Sequence, residues 1–345
     1  MQAPVRVFCG FSAWLALAAP AWAGCGLTRV AQMPLIQLGA HFAVMARVDG
    51  ARRPMIVDTG APTTLLTARA AEALDLRRDP SPGPLQPVFG LGQTSAELHL
   101  NVIPATLAFG DLVFHDRSTV VAAMDSGALP ENDSIGLLGD DILSRYDVEF
   151  DFPGRTLTLY RAHGCYQTFL PWNGVYAEIP FEHKRSGVVI DIILDHERTR
   201  TLVDTGNNMS FVSARATALW GVRDDELIAT ATRSSSPLNG GTSSPVALYT
   251  FPRIRIGDDD TPSKTMNVID VDHPLASANL GLDYLGSRRI WLSYPNGWMF
   301  VADRAATPTL AYPVGDSDPP PGDSIGPLVA TETQTPPTGI VDGAP

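Results

Sequence analysis

Asp-Thr-Gly occurs twice in this chain, at Asp58-Thr59-Gly60 and at Asp204-Thr205-Gly206, each time directly after a short apolar run. One such tripeptide is weak evidence, since at ordinary residue usage it turns up by chance in about one chain of this length in fifteen. Two at matched places carry more weight. A pair of carboxylates held close together suits general acid–base chemistry on a water molecule, because their repulsion leaves them sharing one proton. One group then acts as base while the other acts as acid.

The two tripeptides sit inside an internal repeat, and their flanks agree at a constant offset of 146. Ala46-Arg47-Val48-Asp49-Gly50 corresponds to Ile192-Ile193-Leu194-Asp195-His196, and Leu65-Leu66-Thr67-Ala68-Arg69-Ala70 to Phe211-Val212-Ser213-Ala214-Arg215-Ala216. Further on the offset settles at 142, where Leu138-Gly139-Asp140-Asp141 faces Leu280-Gly281-Leu282-Asp283. Within each copy the pattern is one of short strands. Residues 42–48 and 53–57 read as a hairpin around Asp49-Gly50. Residues 67–76 read as a helix capped by Thr67, and 97–102, 105–109, 113–122, 147–152 and 156–160 read as further strands. The expected fold is therefore mainly β, with two β-barrel-like domains in tandem and little helix.

Both halves resemble the retropepsin-type aspartic peptidase domain, and their tandem arrangement is similar to pepsin's. The residues that carry the resemblance are Asp58, Thr59, Gly60 and Ala61 with Asp204, Thr205 and Gly206 for the catalytic loops. Leu137-Leu138-Gly139 and Leu280-Gly281 match the apolar-apolar-Gly element that crosses beneath those loops. The resemblance implies a bilobal molecule with a pseudo-twofold axis, Asp58 and Asp204 as the catalytic pair at the lobe interface, and Thr59 and Thr205 bonding across to the opposite loop. It also implies a flap over the cleft, for which Phe89, Gly90, Leu91 and Gly92 are the candidates; an ordinary hairpin turn is the competing reading. Three residues depart from the family pattern: Pro62, Asn207 and Asn279, the last being polar where an apolar residue is expected. The implied activity is that of an aspartic endopeptidase on a peptide or polypeptide, as a monomeric pseudodimer with no metal, nucleotide or organic cofactor. A noncatalytic peptide-binding or inhibitor module on the same fold is the alternative.

Composition sets the remaining bounds. The 345 residues, 44% of them apolar, suffice for two cores, and the sequence divides into a signal peptide at 1–23, a first lobe at 24–162, a linker at 163–173, a second lobe at 174–303 and a tail at 304–345. Arg6, the apolar stretch 7–19 and Ala21-Trp22-Ala23 read as a signal peptide with its cleavage site, which implies export to the periplasm or beyond. The apolar stretch is shorter than the roughly 20 residues that span a bilayer. Cleavage leaves Cys25 and Cys165, which pair naturally as a disulfide in an oxidising compartment; a rival reading makes Cys25 a lipidation site. Residues 305–345 hold nine prolines, five acids and no Lys or Arg, the composition of a disordered acidic tail. A net charge of −12 with only two lysines, Lys184 and Lys264, argues against a nucleic-acid partner. Asp258-Asp259-Asp260 lacks the ligand spacing of a calcium loop and reads as a solvated turn, while Asp140, Asp141 and Asp283 read as helix caps.

Overall fold

A computed structural model describes residues 25–80, 98–122, 134–165, 169–184, 187–235, 243–271, 273, 275–303 and 308–316. The expected signal peptide, the candidate flap residues Phe89, Gly90, Leu91 and Gly92, and the tail beyond 316 lie outside the described residues. The fold is mainly β, with four short α-helices among the described residues, Ala68–Ala73, Asp140–Leu143, Ala214–Leu219 and Leu282–Leu285.

The internal repeat is written into the backbone. Left-handed residues recur at corresponding positions: Asp49 and Asp195 (φ 47° and 57°), Gly110 and Gly257 (59° each), Asp116 and Ser263 (47° and 52°), Arg155 and Gly297 (54° and 69°). Non-glycine residues seldom adopt this conformation, so its recurrence on Asp, Ser and Arg marks turns that the two copies share. Both longer helices are capped alike, by the Thr67 hydroxyl accepting from Ala70 N and the Ser213 hydroxyl from Ala216 N. The first of them ends at Ala73 rather than 76, because Asp75 turns left-handed. The expected strand 113–122 is two strands, Leu112–His115 on Thr106–Phe109 and Thr119–Ala122 on Leu65–Thr67 and Leu98–Val102; the chain changes partners at Asp116.

Two sheets hold the copies. Nine strands of the first copy form one sheet. Fourteen strands form the other, which contains the second copy and also draws in Gly26–Pro34, Asp147–Asp151 and Thr156–His163 from the first. Asp147–Asp151 pairs antiparallel with its own counterpart Arg289–Ser293, residue 147 against 293 and 151 against 289. The pseudo-twofold axis therefore passes between two hydrogen-bonded, equivalent strands. Each copy returns its sheet on itself in the same way: Thr106–Phe109 bonds both Leu112–His115 and His41–Val48, and Ser243–Ile256 bonds both Asp259–Ile269 and Gly187–Leu194.

Two sequence boundaries shift. Residues 169–173 of the expected linker and 308–316 of the expected tail are part of the folded body. Trp172–Asn173 pairs with Thr309–Leu310, and Val314–Asp316 runs parallel to Leu27–Arg29. Phe169, Trp172, Trp291, Phe300 and Tyr160 form a buried aromatic cluster, on which Tyr312 stacks through Phe169 at 5.6 Å. The tail's average composition hid Leu310 and Tyr312, whose apolar surface is enough to dock this short stretch. A disulfide joins Cys25 to Cys165 beside the cluster, tying the start of Gly26–Pro34 to the end of Thr156–His163. The Asp258 turn is as expected, lying between two antiparallel strands, with Asp260 ion-paired to Arg253.

Under the shared sheet lies a buried charge. Glu149, 3% exposed, accepts from Arg289 Nε (2.8 Å), Trp172 Nε1 (2.9 Å) and Tyr160 Oη (3.0 Å). Arg289 belongs to the second copy and Glu149 to the first, so the pair spans the junction of the repeats. Removing one partner of such a pair strands the other charge in a low-dielectric interior. Arg289→Met is expected to destabilise the protein by about 3–5 kcal/mol, read as a lower urea midpoint. A double variant Glu149→Gln/Arg289→Met should recover part of that loss, and an unchanged midpoint in the single variant would show that the pair contributes nothing.

Candidate active site

Each Asp-Thr-Gly follows a strand, Ala51–Val57 or Glu197–Val203, whose last residues are flanked in parallel by the crossing element, Gly136–Leu138 or Ala278–Leu280. The amide of Asp58 donates to Leu138 O and that of Asp204 to Leu280 O, 3.0 Å in each case. Just after the turn, Asp140 N donates to Ala61 O and Leu282 N to Asn207 O. Leu138-Gly139 and Leu280-Gly281 thus pass directly beneath the loops, and glycine is required there. A Cβ on Gly139 would lie 2.6 Å from Thr63 C and one on Gly281 would lie 2.7 Å from Met209 C.

Asp141 and Asp283, read from sequence as helix caps, do something else. Neither helix has a side-chain cap at its N-cap residue. Asp141 Oδ1 accepts from Thr64 N and Oγ1 (2.6 and 2.7 Å), and Asp283 Oδ1 from Ser210 N and Oγ (2.8 and 2.5 Å). The same hydroxyls accept from Gly139 N and Gly281 N. Each hydroxyl and carboxylate therefore clamp the returning limb of the loop to the crossing element. Thr64 and Ser210 correspond in the repeat, as do Asp141 and Asp283, and that double match was the sequence signal for the clamp. Asp140 reaches across to the other copy instead, its Oδ2 lying 2.6 Å from His183 Nε2.

The loops meet through their threonines, both buried. Thr59 Oγ1 donates to Val203 O (2.7 Å) and accepts from Thr205 N (3.1 Å); Thr205 Oγ1 donates to Val57 O (2.8 Å) and accepts from Thr59 N (3.1 Å). This reciprocal set brings Asp58 and Asp204 side by side. A Cβ on Gly60 would lie 2.6 Å from Asp204 Cγ, and one on Gly206 would fall within the Asp58 carboxyl. The missing side chain of each glycine is the space into which the opposite carboxyl fits. Gly60 N and Ala61 N donate to Asp58 Oδ1 (2.9 and 3.0 Å), and Gly206 N donates to Asp204 Oδ1 (2.9 Å). Burial, and next the Asp204 charge, push the Asp58 carboxyl well above the ordinary carboxylate range. A carboxyl pair in this state has one group able to give a proton and one able to take it.

Three neighbours escaped the sequence reading. Asn279 on the crossing element points its Nδ2 at Asp204 Oδ2, 2.9 Å away. His41 and His273 lie close enough to feel the Asp204 charge, and burial holds the His41 imidazole below its ordinary range. The polar Asn279 in an apolar element was the one visible signal; the histidines gave none. Asn207 turns inward, its Oδ1 accepting from Met209 N while Nδ2 is buried without a partner among the described residues. Among the described residues, no group of three or more His, Cys, Asp or Glu is placed to hold a metal, and no helix is long and apolar enough to cross a membrane.

Two equivalent loops of a mainly β chain thus present adjoining carboxyls. Residues 44–142 match the family model described as Aspartyl protease. That segment holds the first Asp-Thr-Gly and its crossing element, and its match is in line with the pepsin-like and retropepsin-like resemblance. No curated protein matches the sequence. Among solved structures, the chain is similar to the aspartic proteinase from Irpex lacteus, at 15% identity and a TM-score of 0.46, with 81% of this chain and 97% of that one covered. The family match supports a peptidase.

Thr59→Val keeps the side-chain shape but leaves Val203 O and Thr205 N without their buried partner. A cost of about 2–5 kcal/mol in chemical denaturation is expected. Thr205→Val should cost a similar amount, and the double variant less than the sum, because both singles break one network. Strict additivity would mean that the two hydroxyls act independently.

Proposed function

We propose that this protein is an exported aspartic endopeptidase in which Asp58 and Asp204 share one proton and activate water against a peptide carbonyl. The single observation that carries the reading is the contact of the two carboxyls, each seated over the other loop's glycine. In the proposed reaction the ionised carboxyl takes a proton from water as the water oxygen bonds to the carbonyl carbon, and the protonated carboxyl gives its proton to the carbonyl oxygen. The tetrahedral species then collapses: the C–N bond breaks, the nitrogen takes the proton held by the first carboxyl, and a hydroxyl proton returns to the second. Water has been added across the peptide bond and both carboxyls are as they began. Such one-proton sharing is the established behaviour of aspartic peptidase dyads.

Thr59, Gly60, Ala61, Thr205 and Gly206 position the pair, and Leu138, Gly139, Leu280 and Gly281 support it from below. The chain acts as a monomer, since both half-sites come from one polypeptide. Phe89, Gly90, Leu91 and Gly92 remain the candidates for the flap that covers the peptide. Export is supported by the signal-like segment 1–23 and by the Cys25–Cys165 disulfide, which also occupies the sulfur that lipidation of Cys25 would need.

The test is cleavage of an unfolded protein by the purified 24–345 chain between about pH 3 and about pH 8, with Asp58→Asn and Asp204→Asn in parallel. The chemistry predicts a bell-shaped profile, activity failing at low pH when both carboxyls are protonated and at high pH when neither is. Each variant should lose at least about 10³-fold in kcat/KM while staying folded. Peptide binding without cleavage at any pH, undiminished in both variants, would favour a noncatalytic module.

A further inference from the structure

On the crossing elements inside the site the repeat is broken at one residue. Leu137, on the first crossing element, is an apolar residue packed with Ile56, Ala61 and Leu65. Its counterpart on the second is Asn279, 3% exposed. In the strand pairing Leu137 lies beside Ile56 and Asn279 beside Leu202, so the backbones correspond while the side chains do not. Burying an amide costs free energy unless it is hydrogen-bonded, and Asn279 makes its bond to a single group, Asp204 Oδ2. Among the described residues its Oδ1 has no partner.

The two carboxyls are consequently unequal. Among the described residues, both oxygens of Asp204 accept a protein donor, Oδ1 from Gly206 N and Oδ2 from Asn279 Nδ2. Asp58 takes both its donors on Oδ1. Of the four oxygens, Asp58 Oδ2 alone accepts no such N–H. N–H donors stabilise an ionised carboxylate more than a neutral acid, and a proton is most readily held by an oxygen to which nothing else donates.

We propose that Asn279 is a positioning residue that decides which carboxyl carries the shared proton, holding Asp204 as the anion and leaving the proton on Asp58 Oδ2. The assignment builds on the peptidase reading, in which Asp204 is then the base that takes the water proton and Asp58 the acid that protonates the carbonyl oxygen. The other titratable groups facing Asp204 are Asp58, His41 and His273. A positive charge on either histidine would favour the same arrangement, so the test must isolate the amide.

The direct test is carboxyl 13C NMR of the 24–345 chain, with resonances assigned through Asp58→Asn and Asp204→Asn, in the wild type and in Asn279→Leu. Near the middle of the dyad's one-proton range, the wild type should show a protonated shift for Asp58 and an ionised shift for Asp204. In Asn279→Leu, which restores the side chain of the first copy, the two resonances should move toward each other. The acid limb of kcat/KM should rise by about one pH unit, and KM should stay within about twofold. A wild-type spectrum with the proton on Asp204 would overturn the proposal without any variant. So would an Asn279→Leu protein that is folded by circular dichroism and shows unaltered resonances. The NMR readout is independent of turnover: a chain that cleaves nothing yet shows the asymmetry upholds the assignment and defeats the peptidase reading.

Discussion

The site depends on four hydrogen bonds between two threonines and two loops that are 146 residues apart in sequence. Asp58 and Asp204 would repel each other if both were ionised, so something must hold their backbones together at a distance the charges alone disfavour. Each threonine hydroxyl does this twice over, accepting an N–H from the facing loop and donating to the carbonyl that precedes the facing aspartate. All four bonds are buried, and all four are lost if the loops part. The cost of separation therefore falls on desolvated backbone, which makes the contact stiff.

The remainder of the fold braces that contact from beneath. The crossing elements feed their carbonyls to the aspartate amides, and the Thr64–Asp141 and Ser210–Asp283 clamps fix the outgoing limbs of the loops. Further from the site, the antiparallel pairing of Asp147–Asp151 with Arg289–Ser293 and the Glu149–Arg289 pair join the repeats, and His183 to Asp140 adds a contact nearer the loops. Most of these bonds come in twos, as a duplicated fold requires. On the crossing elements the symmetry fails at Asn279, and there the failure lies against the Asp204 carboxyl.

Much of this was legible in the sequence because it rests on local chemistry repeated at a fixed interval. The tripeptides, the crossing Leu-Gly pairs, the Asp49 turn and the Thr67 cap each have a short-range signature, and repetition lifts each above chance. What could not be read was pairing at long range. Asp141 looked like a helix cap because its partner Thr64 lies far off in sequence, and Asn279 looked like a blemish because its partner is Asp204. The same reason misplaced the ends of the lobes. Leu310 and Tyr312 lie more than a hundred residues beyond Trp172 yet pack against the same cluster, and averaged composition could not show that part of a proline-rich segment docks there.

The peptidase reading requires one proton between Asp58 and Asp204. Neutron diffraction from crystals of the 24–345 chain grown in heavy water near the pH of maximal activity shows where that proton sits. A single deuteron is expected on the pair, with both threonine hydroxyl deuterons directed at the opposite loop. Two deuterons, none, or carboxyls too far apart to share one would contradict it.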